Sequence, residues 1–502
     1  MCLGTLLTAA GAGAVQTTIG GRPVDLDATL GVREVFEEDR ASTHERTLEQ
    51  LTVRAAASFT DWLRFDSTTI GTNGGPTLKS DRAGVYSLDD AFQDISPAVE
   101  FDEAYLAVFL PAVDLKIGKQ KVAWGKLDRS QPNDLINPQS YLDPFLQEEE
   151  QRKIGVPALQ ATYYLPATLG APPESRVTAV WVPAYVPYRF PLATCQISGR
   201  QSHCDLERWF PPVGVPPPTI TIPGSILPGG QAVTVPLSFR TDNTPTPAVR
   251  LDNSEIGLRY AANVHGADCA LYYYHGFDVQ PAFRFTADAV GSRDLTTLTG
   301  ATTLSPAYRS IDAGGADFSY TFDRISVRGE GAFVDGRPFP IDLSFLISDP
   351  TQLRNSFLEA LAKLPPTGSG TAPVKLPDSF AVRNAVDWGL GADYLYEGYL
   401  LLLQVQQTDV LHNDRRLLIK DVDTRLLLNL RKSFLQDTVQ TQLVGEHAIE
   451  SDYTLVRPLL RYRVTDHIAA SAGYLFIAGR FASVIGQYKH NDEGWLNLEY
   501  RL

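Results

Sequence analysis

Apolar and polar residues alternate along most of the chain. Residues 24–33, 50–59, 386–394 and 454–464 each place apolar side chains at every second position, with charged residues and glycines between them. Successive side chains of a β-strand point to opposite faces, so a period of two indicates strands with one apolar and one polar face. A single strand of this kind is equally typical of a soluble β-sandwich, and the connections between strands carry the distinction.

Short and long connections alternate between these segments. Tight turns follow residues such as Thr60, Leu110 and Asp323. The long connections span 74–99, 125–153, 187–251, 276–305 and 336–381. Regular alternation of short and long connections is typical of an up-and-down membrane barrel. It is not expected of a sandwich or a propeller. The pattern predicts an all-β, antiparallel up-and-down transmembrane β-barrel of about eighteen strands, with long extracellular loops and short periplasmic turns.

Each predicted strand is long enough to cross a bilayer as a tilted strand of about 9–11 residues. The strands are predicted at 23–37, 46–60, 62–73, 100–110, 113–124, 154–166, 175–186, 252–263, 267–275, 306–322, 325–335, 382–395, 398–410, 419–432, 436–448, 453–464, 468–479 and 491–502. Sixteen strands is the alternative count, if 267–275 and its neighbour are not strands. Within the loop 336–381, residues 350–364 are predicted to form a short helix.

The two ends of the chain fit an exported barrel. In the last strand Leu496, Leu498 and Leu502 alternate with polar residues, which resembles the recognition signal of outer-membrane barrels, although the usual final residue is Phe. Residues 1–14 end in an Ala-Gly-Ala sequence of the signal-peptidase type. We predict a signal-peptide remnant at 1–14, with a frayed apolar terminus as the alternative, and a single barrel domain at 15–502.

Aromatic residues crowd the predicted strand ends, as in the girdles that mark both interfaces of a membrane barrel. They are Phe59, Trp62, Phe109, Tyr163, Tyr164, Trp181, Tyr185, Tyr320, Phe322, Tyr394, Tyr396, Tyr399 and Phe434. These features together predict a location in the outer membrane of a Gram-negative bacterium, in contact with outer-membrane lipid. Filling of a soluble core is the alternative for any single aromatic residue.

Composition and motifs exclude several functions. The formal net charge of −14 argues against nucleic-acid binding, which needs a basic face. The chain has no Walker loop, no H-E-x-x-H, no nucleophile elbow and no C-x-x-C-H. We therefore predict no enzyme activity, no catalytic residues, no cofactor and no metal. Cys195 and Cys204 bracket a short polar loop and are predicted to form a disulfide, a metal site with His203 being the weaker alternative.

The polar faces of the predicted strands would line the lumen. By alternation, and with Lys119 added by the phase slip described below, the predicted pore-lining residues are Arg33, Arg54, Arg64, Lys116, Lys119, Lys121, Arg259, Arg328, Glu330, Arg425, Arg431, Arg457, Arg461 and Arg463. This set is basic although the whole chain is acidic, and rings of Arg and Lys favour anions in a pore. The alternative is that the arginines pair with loop acids and brace the wall.

Residues 114–144 combine a lysine-rich strand with a segment of Pro, Asn, Asp and Ser. The apolar phase changes from odd to even positions near Gly118–Lys119, which predicts a β-bulge that brings Lys116, Lys119 and Lys121 to the lumen. The loop 125–153 is predicted to fold into the lumen as a constriction. Its acids, Glu148, Glu149 and Glu150, are expected to face those lysines.

The same region carries a family resemblance. The sequences GKQKVAWGKLD, NDLINPQSYLDP, RKIGVPALQATYYLP and YRSIDAGGADFSYTF, with ISVRGEGAFVDGRPF around Arg328 and Glu330, resemble an uncharacterised proteobacterial outer-membrane family, domain of unknown function 1302. That family is distantly similar to alginate-export barrels and porins. Some members are encoded beside lipid-transport components, so the resemblance implies an export role, with periplasmic transport components as partners, as one option.

The predicted function is a porin-like channel for passive passage of small polar, in particular anionic, solutes. The alternatives are a dedicated export or lipid-transport barrel with periplasmic partners, an outer-membrane enzyme, and a secreted soluble β protein. The sequence leaves open the solute, the oligomeric state and any calcium binding by the loops.

Overall fold

The computed structural model describes residues 15–19, 22–39, 42–74, 98–140, 149–166, 168, 170–188, 219–222, 233–241, 246–280, 282–295, 297–341, 350–412, 414–480, 485–486, 489 and 492–502. The predicted signal-peptide remnant, the predicted Cys195–Cys204 disulfide and Glu148 lie outside these residues.

About 67% of the described residues lie in strands. In chain order the elements are β1 (Val15–Ile19), β2 (Arg22–Asp39), β3 (Ser42–Thr60), β4 (Leu63–Asn73), β5 (Ala98–Phe109), β6 (Val113–Gln120), α1 (Glu149–Arg152), β7 (Val156–Tyr164), β8 (Arg176–Val182), β9 (Thr219–Ile222), β10 (Val233–Thr241), β11 (Glu255–Val264), β12 (Ala267–Phe277), β13 (Ala282–Gly291), β14 (Thr299–Ala307), β15 (Ser310–Phe322), β16 (Ile325–Pro340), α2 (Pro350–Lys363), β17 (Gly370–Val374), β18 (Phe380–Tyr396), β19 (Tyr399–Val410), β20 (Val422–Phe434), β21 (Val439–Ala448), β22 (Tyr453–Arg463), β23 (Ile468–Gly479) and β24 (Asp492–Arg501).

Eighteen of these strands form one closed antiparallel barrel. Each barrel strand pairs with the next barrel strand along the chain, and β24 closes the ring by pairing with β2 from Thr29↔Arg501 to Glu38↔Asp492. The predicted fold class and strand number are therefore confirmed. The predicted helix is also confirmed, since α2 spans Pro350–Lys363.

The outer face of the barrel is apolar. Among the described side chains, every barrel strand except β4 and β21 exposes at least one large apolar residue. In β24, Leu496 and Leu498 are 57% and 54% exposed. Glu499 of the same strand points the other way and pairs with Arg461 on the inner face. Such an apolar band around a closed ring is the arrangement that lets strands cross a bilayer without unpaired backbone groups.

Exposed aromatic side chains form a belt at the turn end of the barrel. They include Phe59, Trp62, Phe109, Tyr163, Tyr164, Tyr320, Phe322, Tyr394, Tyr396, Tyr399 and Phe434. The prediction for Tyr185 is wrong: it is 2% exposed and packs between Phe277 and Tyr308, with ring centroids 5.2 Å apart in both pairs. Tyr185 lies beyond the end of β8, where the alternation of a strand no longer indicates which way a side chain points.

Three of the predicted long loops contain regular structure. Parts of 187–251, 276–305 and 336–381 form a second sheet in the order β17-β13-β14-β10-β9, in which β10 and β14 run parallel. Helix α2 packs on it through Ala360, Leu361 and Leu364. These segments were predicted only as loops because their strand pairs come from distant parts of the chain. No helix among the described residues is long and apolar enough to span a membrane.

A register shift occurs near the predicted bulge, but in the neighbouring strand β5 and not in β6. The register of β6 is continuous with β5 up to Lys119 and with β7 up to Gln120, where β6 ends, so the prediction of a bulge at Gly118–Lys119 is wrong. The register shift is in β5, where Thr68 of β4 pairs with Glu103 and Thr69 pairs with Phe101. Gly118 takes a φ of 139°, a conformation that favours glycine.

Candidate functional site

Residues 121–140, here called the inward segment, leave β6 and enter the barrel. Glu330 on β16 holds the segment through backbone N–H groups: the N–H groups of Lys126 and Leu127 donate to its Oε2 at 2.6 and 3.0 Å, and that of Asn133 donates to its Oε1 at 3.1 Å. Hydrogen bonds to a carboxylate are stronger than those between neutral groups. The predicted inward fold of the loop therefore rests on one buried acid of the opposite wall.

Two glutamines of β19 hold the middle of the inward segment. Gln404 accepts a hydrogen bond from the N–H of Asp128 at 3.2 Å and donates to the carbonyl of Arg129 at 2.8 Å. Gln406 donates to the carbonyls of Arg129, at 2.5 Å, and Ser130. Sequence reasoning missed both residues, although Gln404-Val405-Gln406 interrupts an otherwise leucine-rich strand with an alternating polar pair.

Wall glycines provide space for the side chains of the inward segment. A Cβ atom added to Gly257 would lie 2.6 Å from Cη2 of Trp124, and one added to Gly389 would lie 2.5 Å from Cδ1 of Leu127. Trp124 and Leu127 are 4% and 1% exposed. The glycines that the sequence places on the polar faces of strands therefore serve here as contact surfaces for a packed segment.

Replacing Gly257 with valine is expected to push Trp124 out of its seat and to lower the stability of the folded barrel. Overpacking of a filled interior costs about 1–3 kcal/mol, and the new Cβ would also lie 3.0 Å from Cδ1 of Ile136. The measurement is the temperature at which the heat-modifiable gel band is lost. Gly445→Val is the matched control, because its Cβ would meet only Leu428 Cβ at 3.8 Å. Equal melting temperatures of the two variants would contradict the close packing of Trp124 against Gly257.

Ion pairs complete the attachment on the same side of the barrel. Arg328 on β16 pairs with Asp128 of the segment at 2.8 Å and with Asp393 of β18. Arg129 lies 3.7 Å from Glu446 of β21. The predicted pore residues Arg328 and Glu330 thus hold the inward segment.

A buried ion pair joins the two limbs of the loop. The ammonium of Lys153 lies 2.8 Å from Asp134 and 2.9 Å from Glu150, and the side chains of Lys153 and Asp134 are only 2% and 5% exposed. Burial by itself would lower the pKa of Lys153, but the two carboxylates outweigh burial and raise the pKa, so the ammonium stays charged. Backbone pairing of Gln139 with Lys153 joins the limbs at the same place.

The predicted contact between the loop acids and the lysines is wrong for Glu149 and Glu150, the two of the three acids that the structure describes. Glu149 accepts the N–H of Ser130, with both oxygens at 2.8 Å, and Glu150 pairs with Lys153. The lysines have other partners. Lys116 lies over the Tyr105 ring, Lys119 donates to the carbonyl of Phe101 at 2.5 Å, and Lys121 pairs with Asp102 at 2.8 Å. The residues around the shifted register of β5 take the place that the loop acids were expected to fill.

Several predicted pore residues pair on the wall itself, with acids of the barrel strands rather than with the loop acids that the alternative named. Arg64 pairs with Asp66 at 2.6 Å and Arg461 pairs with Glu499 at 2.7 Å. Arg259 donates to the Tyr272 hydroxyl at 3.1 Å, and Arg463 donates to the Gln436 carbonyl at 3.2 Å. Arg425 lies 3.9 Å from Asp423, and Arg457 is buried.

Three of the predicted pore arginines have side chains with neither an ion-pair partner nor a hydrogen-bond partner among the described residues. They are Arg33 on β2, Arg54 on β3 and Arg431 on β20. Arg54 lines a cavity of about 230 Å³ that also contains Asp27 and Glu103. The inward segment bonds to β5 where it leaves β6, through the N–H of Lys121, and further along to β15, β16, β19 and β20. The lumen-facing residues of β2, β3, β4, β22 and β24 therefore lie on the other side of the ring.

Comparisons with known proteins bear on the fold alone. No family model matches the chain, so the resemblance to domain of unknown function 1302 stays a prediction. No curated protein matches it either. Among solved structures, the chain is similar to Acinetobacter baumannii OccAB1, at 7% sequence identity over 95% of this chain and 96% of that chain, with a TM-score of 0.47.

Two further structures are similar at the same level. Pseudomonas aeruginosa OccK8 (OprE) is 10% identical over 95% of this chain and 98% of that chain, with a TM-score of 0.45. Salmonella typhi OmpF, solved in complex with daunomycin, is 8% identical over 97% of this chain and 100% of that chain, with a TM-score of 0.38. At these values the functional conclusions rest on this chain's own contacts.

Proposed function

We propose that this chain is a porin-like channel of a Gram-negative outer membrane and that it passes small polar solutes passively. The observation that carries the proposal is the inward segment, which Glu330, Gln404 and Gln406 hold against one side of the barrel. A barrel of this strand number encloses an aqueous lumen unless chain folds into it. A segment bonded to one side narrows such a lumen and leaves polar wall on the other.

The preferred solutes are anions. Arg33, Arg54 and Arg431 lie on inner faces and have no carboxylate partner among the described residues, so their charge remains available to a passing solute. Basic residues on a pore wall lower the barrier for anions and raise it for cations. The paired residues Arg64 and Arg461 contribute less, because each is neutralised by an adjacent acid.

Ion selectivity in planar bilayers tests this proposal. We expect the wild-type barrel to conduct and to favour chloride over potassium, and the double variant Arg54→Glu/Arg431→Glu to shift the permeability ratio several-fold toward potassium. The double variant Arg354→Glu/Arg415→Glu, at two exposed positions outside the barrel strands, is the control for net charge. Cation selectivity in the wild type would overturn the anion preference. A barrel with no conductance would overturn the channel and favour the export alternative.

A further inference from the structure

A cavity of about 370 Å³ lies between the inward segment and the loop-end halves of the neighbouring strands. One wall is formed by residues of the inward segment between 130 and 139. The others come from the ends of β16, β18, β19 and β20 and from the connection after β12. The size falls in the range of small-molecule sites.

Three buried acceptor atoms of the lining have no hydrogen-bond partner. Gln406, which is 3% exposed, donates its amide nitrogen to two carbonyls, so its orientation is fixed and its Oε1 remains unbonded. Gln139 donates to Glu149 at 3.4 Å, which likewise leaves its Oε1 unbonded. Asp134 uses Oδ2 for Lys153 and leaves Oδ1 unbonded. Buried polar atoms are normally satisfied, so this cluster indicates an absent partner.

One buried donor accompanies these acceptors. Nε of Arg425 has no hydrogen bond, and the nearest carboxylate oxygen of its ion-pair partner, Asp423, is 3.9 Å away. Arg425 also contacts Ser130 Oγ at 3.4 Å, and Gln406 and Glu149 both bond to the backbone of Ser130. The unbonded atoms of Gln406 and Arg425 therefore belong to side chains that contact Ser130, and Gln139 is linked to the same residue through Glu149.

The charges that line the cavity nearly cancel. Its four carboxylates, at Asp134, Glu149, Asp278 and Asp387, face three lining arginines, and Lys153, which pairs with both Asp134 and Glu150, lies behind Asp134. The lining arginines are Arg152, Arg337 and Arg425. Arg337 pairs with Asp278 at 3.4 Å and with Asp387. A charged ligand would have to leave its hydration shell for a site whose own charges nearly cancel.

We propose that this cavity is a binding site for a small neutral polyol of about monosaccharide size. A hydroxyl group both donates and accepts, so adjacent hydroxyls can satisfy the three acceptors and the one donor together. The apolar C–H face of such a ligand can pack against Trp388, Phe283 and Phe339, which line the other side. Water alone would satisfy the polar atoms but would not pack against the aromatic side chains that line the cavity.

The site goes beyond the proposed channel and does not depend on it, because binding requires only the folded chain. Calorimetric titration of the full chain in detergent micelles tests it, with glucose as the neutral probe and gluconate as the matched anionic probe. We expect saturable binding of glucose and weaker binding of gluconate. Gln139→Met, which removes one unbonded acceptor, is expected to weaken glucose binding about fivefold to tenfold. Gln50→Met, on the far wall, is the control and should bind as the wild type does.

Trp388→Leu gives a second route if Gln139→Met does not fold, and heat-modifiable gel migration checks folding in each variant. Loss of glucose affinity in Trp388→Leu supports the site. Absence of saturable glucose binding in the wild type, gluconate binding as tight as glucose, or equal affinities of Gln139→Met and Gln50→Met would overturn it. A conducting barrel that binds no glucose overturns the site and keeps the channel. A closed barrel that binds glucose overturns the channel and keeps the site.

Discussion

Replacing Glu330 with leucine is expected to release the inward segment from the wall and to raise single-channel conductance. Glu330 is 5% exposed and accepts backbone N–H groups from Lys126, Leu127 and Asn133. Each hydrogen bond to a charged acceptor contributes about 1.5–3 kcal/mol. Because bonds that share one acceptor do not add fully, the expected loss of attachment is on the order of 5 kcal/mol.

Two measurements check the role of Glu330. Bilayer recording should show larger and noisier openings, and limited proteolysis should cut the variant within 121–140 where the wild type resists. Glu330→Gln should lie between the two, since it keeps the shape and loses the charge. Glu499→Leu is the matched control, because Glu499 pairs with Arg461 on the other side of the ring. Unchanged conductance and unchanged protease resistance in Glu330→Leu would refute the anchoring role.

Replacing Lys153 with methionine is expected to destabilise the loop by about 3–5 kcal/mol, because it leaves the Asp134 carboxylate buried without its cation. Lys153 and Asp134 are almost fully buried and join the two limbs of the loop. The double variant Asp134→Asn/Lys153→Met removes both charges and should recover most of the loss. The measurement is the rate of proteolysis between 125 and 155, followed with temperature.

An exposed pair provides the control for Lys153. Lys363→Met breaks a pair with Glu359 on the surface of α2, where solvent screens the charges, and should change little. If Lys153→Met and Lys363→Met behave alike, the buried pair does not hold the loop. If the double variant is no more stable than Lys153→Met, lost packing rather than an uncompensated charge explains the effect.

The sequence predicted strands better than side-chain partners. Leu496 and Leu498 fall on one face of β24 and Glu499 on the other, as alternation requires, because the pleat of a strand fixes side-chain direction locally. The partners of Lys119 and Lys121 were predicted incorrectly. They depend on Phe101 and Asp102, where the register of β5 shifts, and no pattern within β6 reports a register shift in its neighbour.

For the inward segment too, the sequence predicted where the backbone runs but not which side chains hold it. The sequence predicts that the loop 125–153 folds into the lumen, and hydrogen bonds to Glu330, Gln404 and Gln406 hold its first limb against the inner wall. The residues that hold it, Glu330 and Gln404, follow the segment by roughly two hundred positions or more. Alternation placed Glu330 on the lumen face but could not assign it a partner, because several buried acids share that face.

The sequence by itself predicted an antiparallel barrel of about eighteen strands with one polar and one apolar face, because alternation and connection length act over a few residues. Only the tertiary structure decided which polar residues neutralise one another, which glycines provide space for Trp124 and Leu127, and which atoms remain unbonded around Ser130. Those outcomes follow from closure of the ring, which brings together residues that no local interaction along the chain relates.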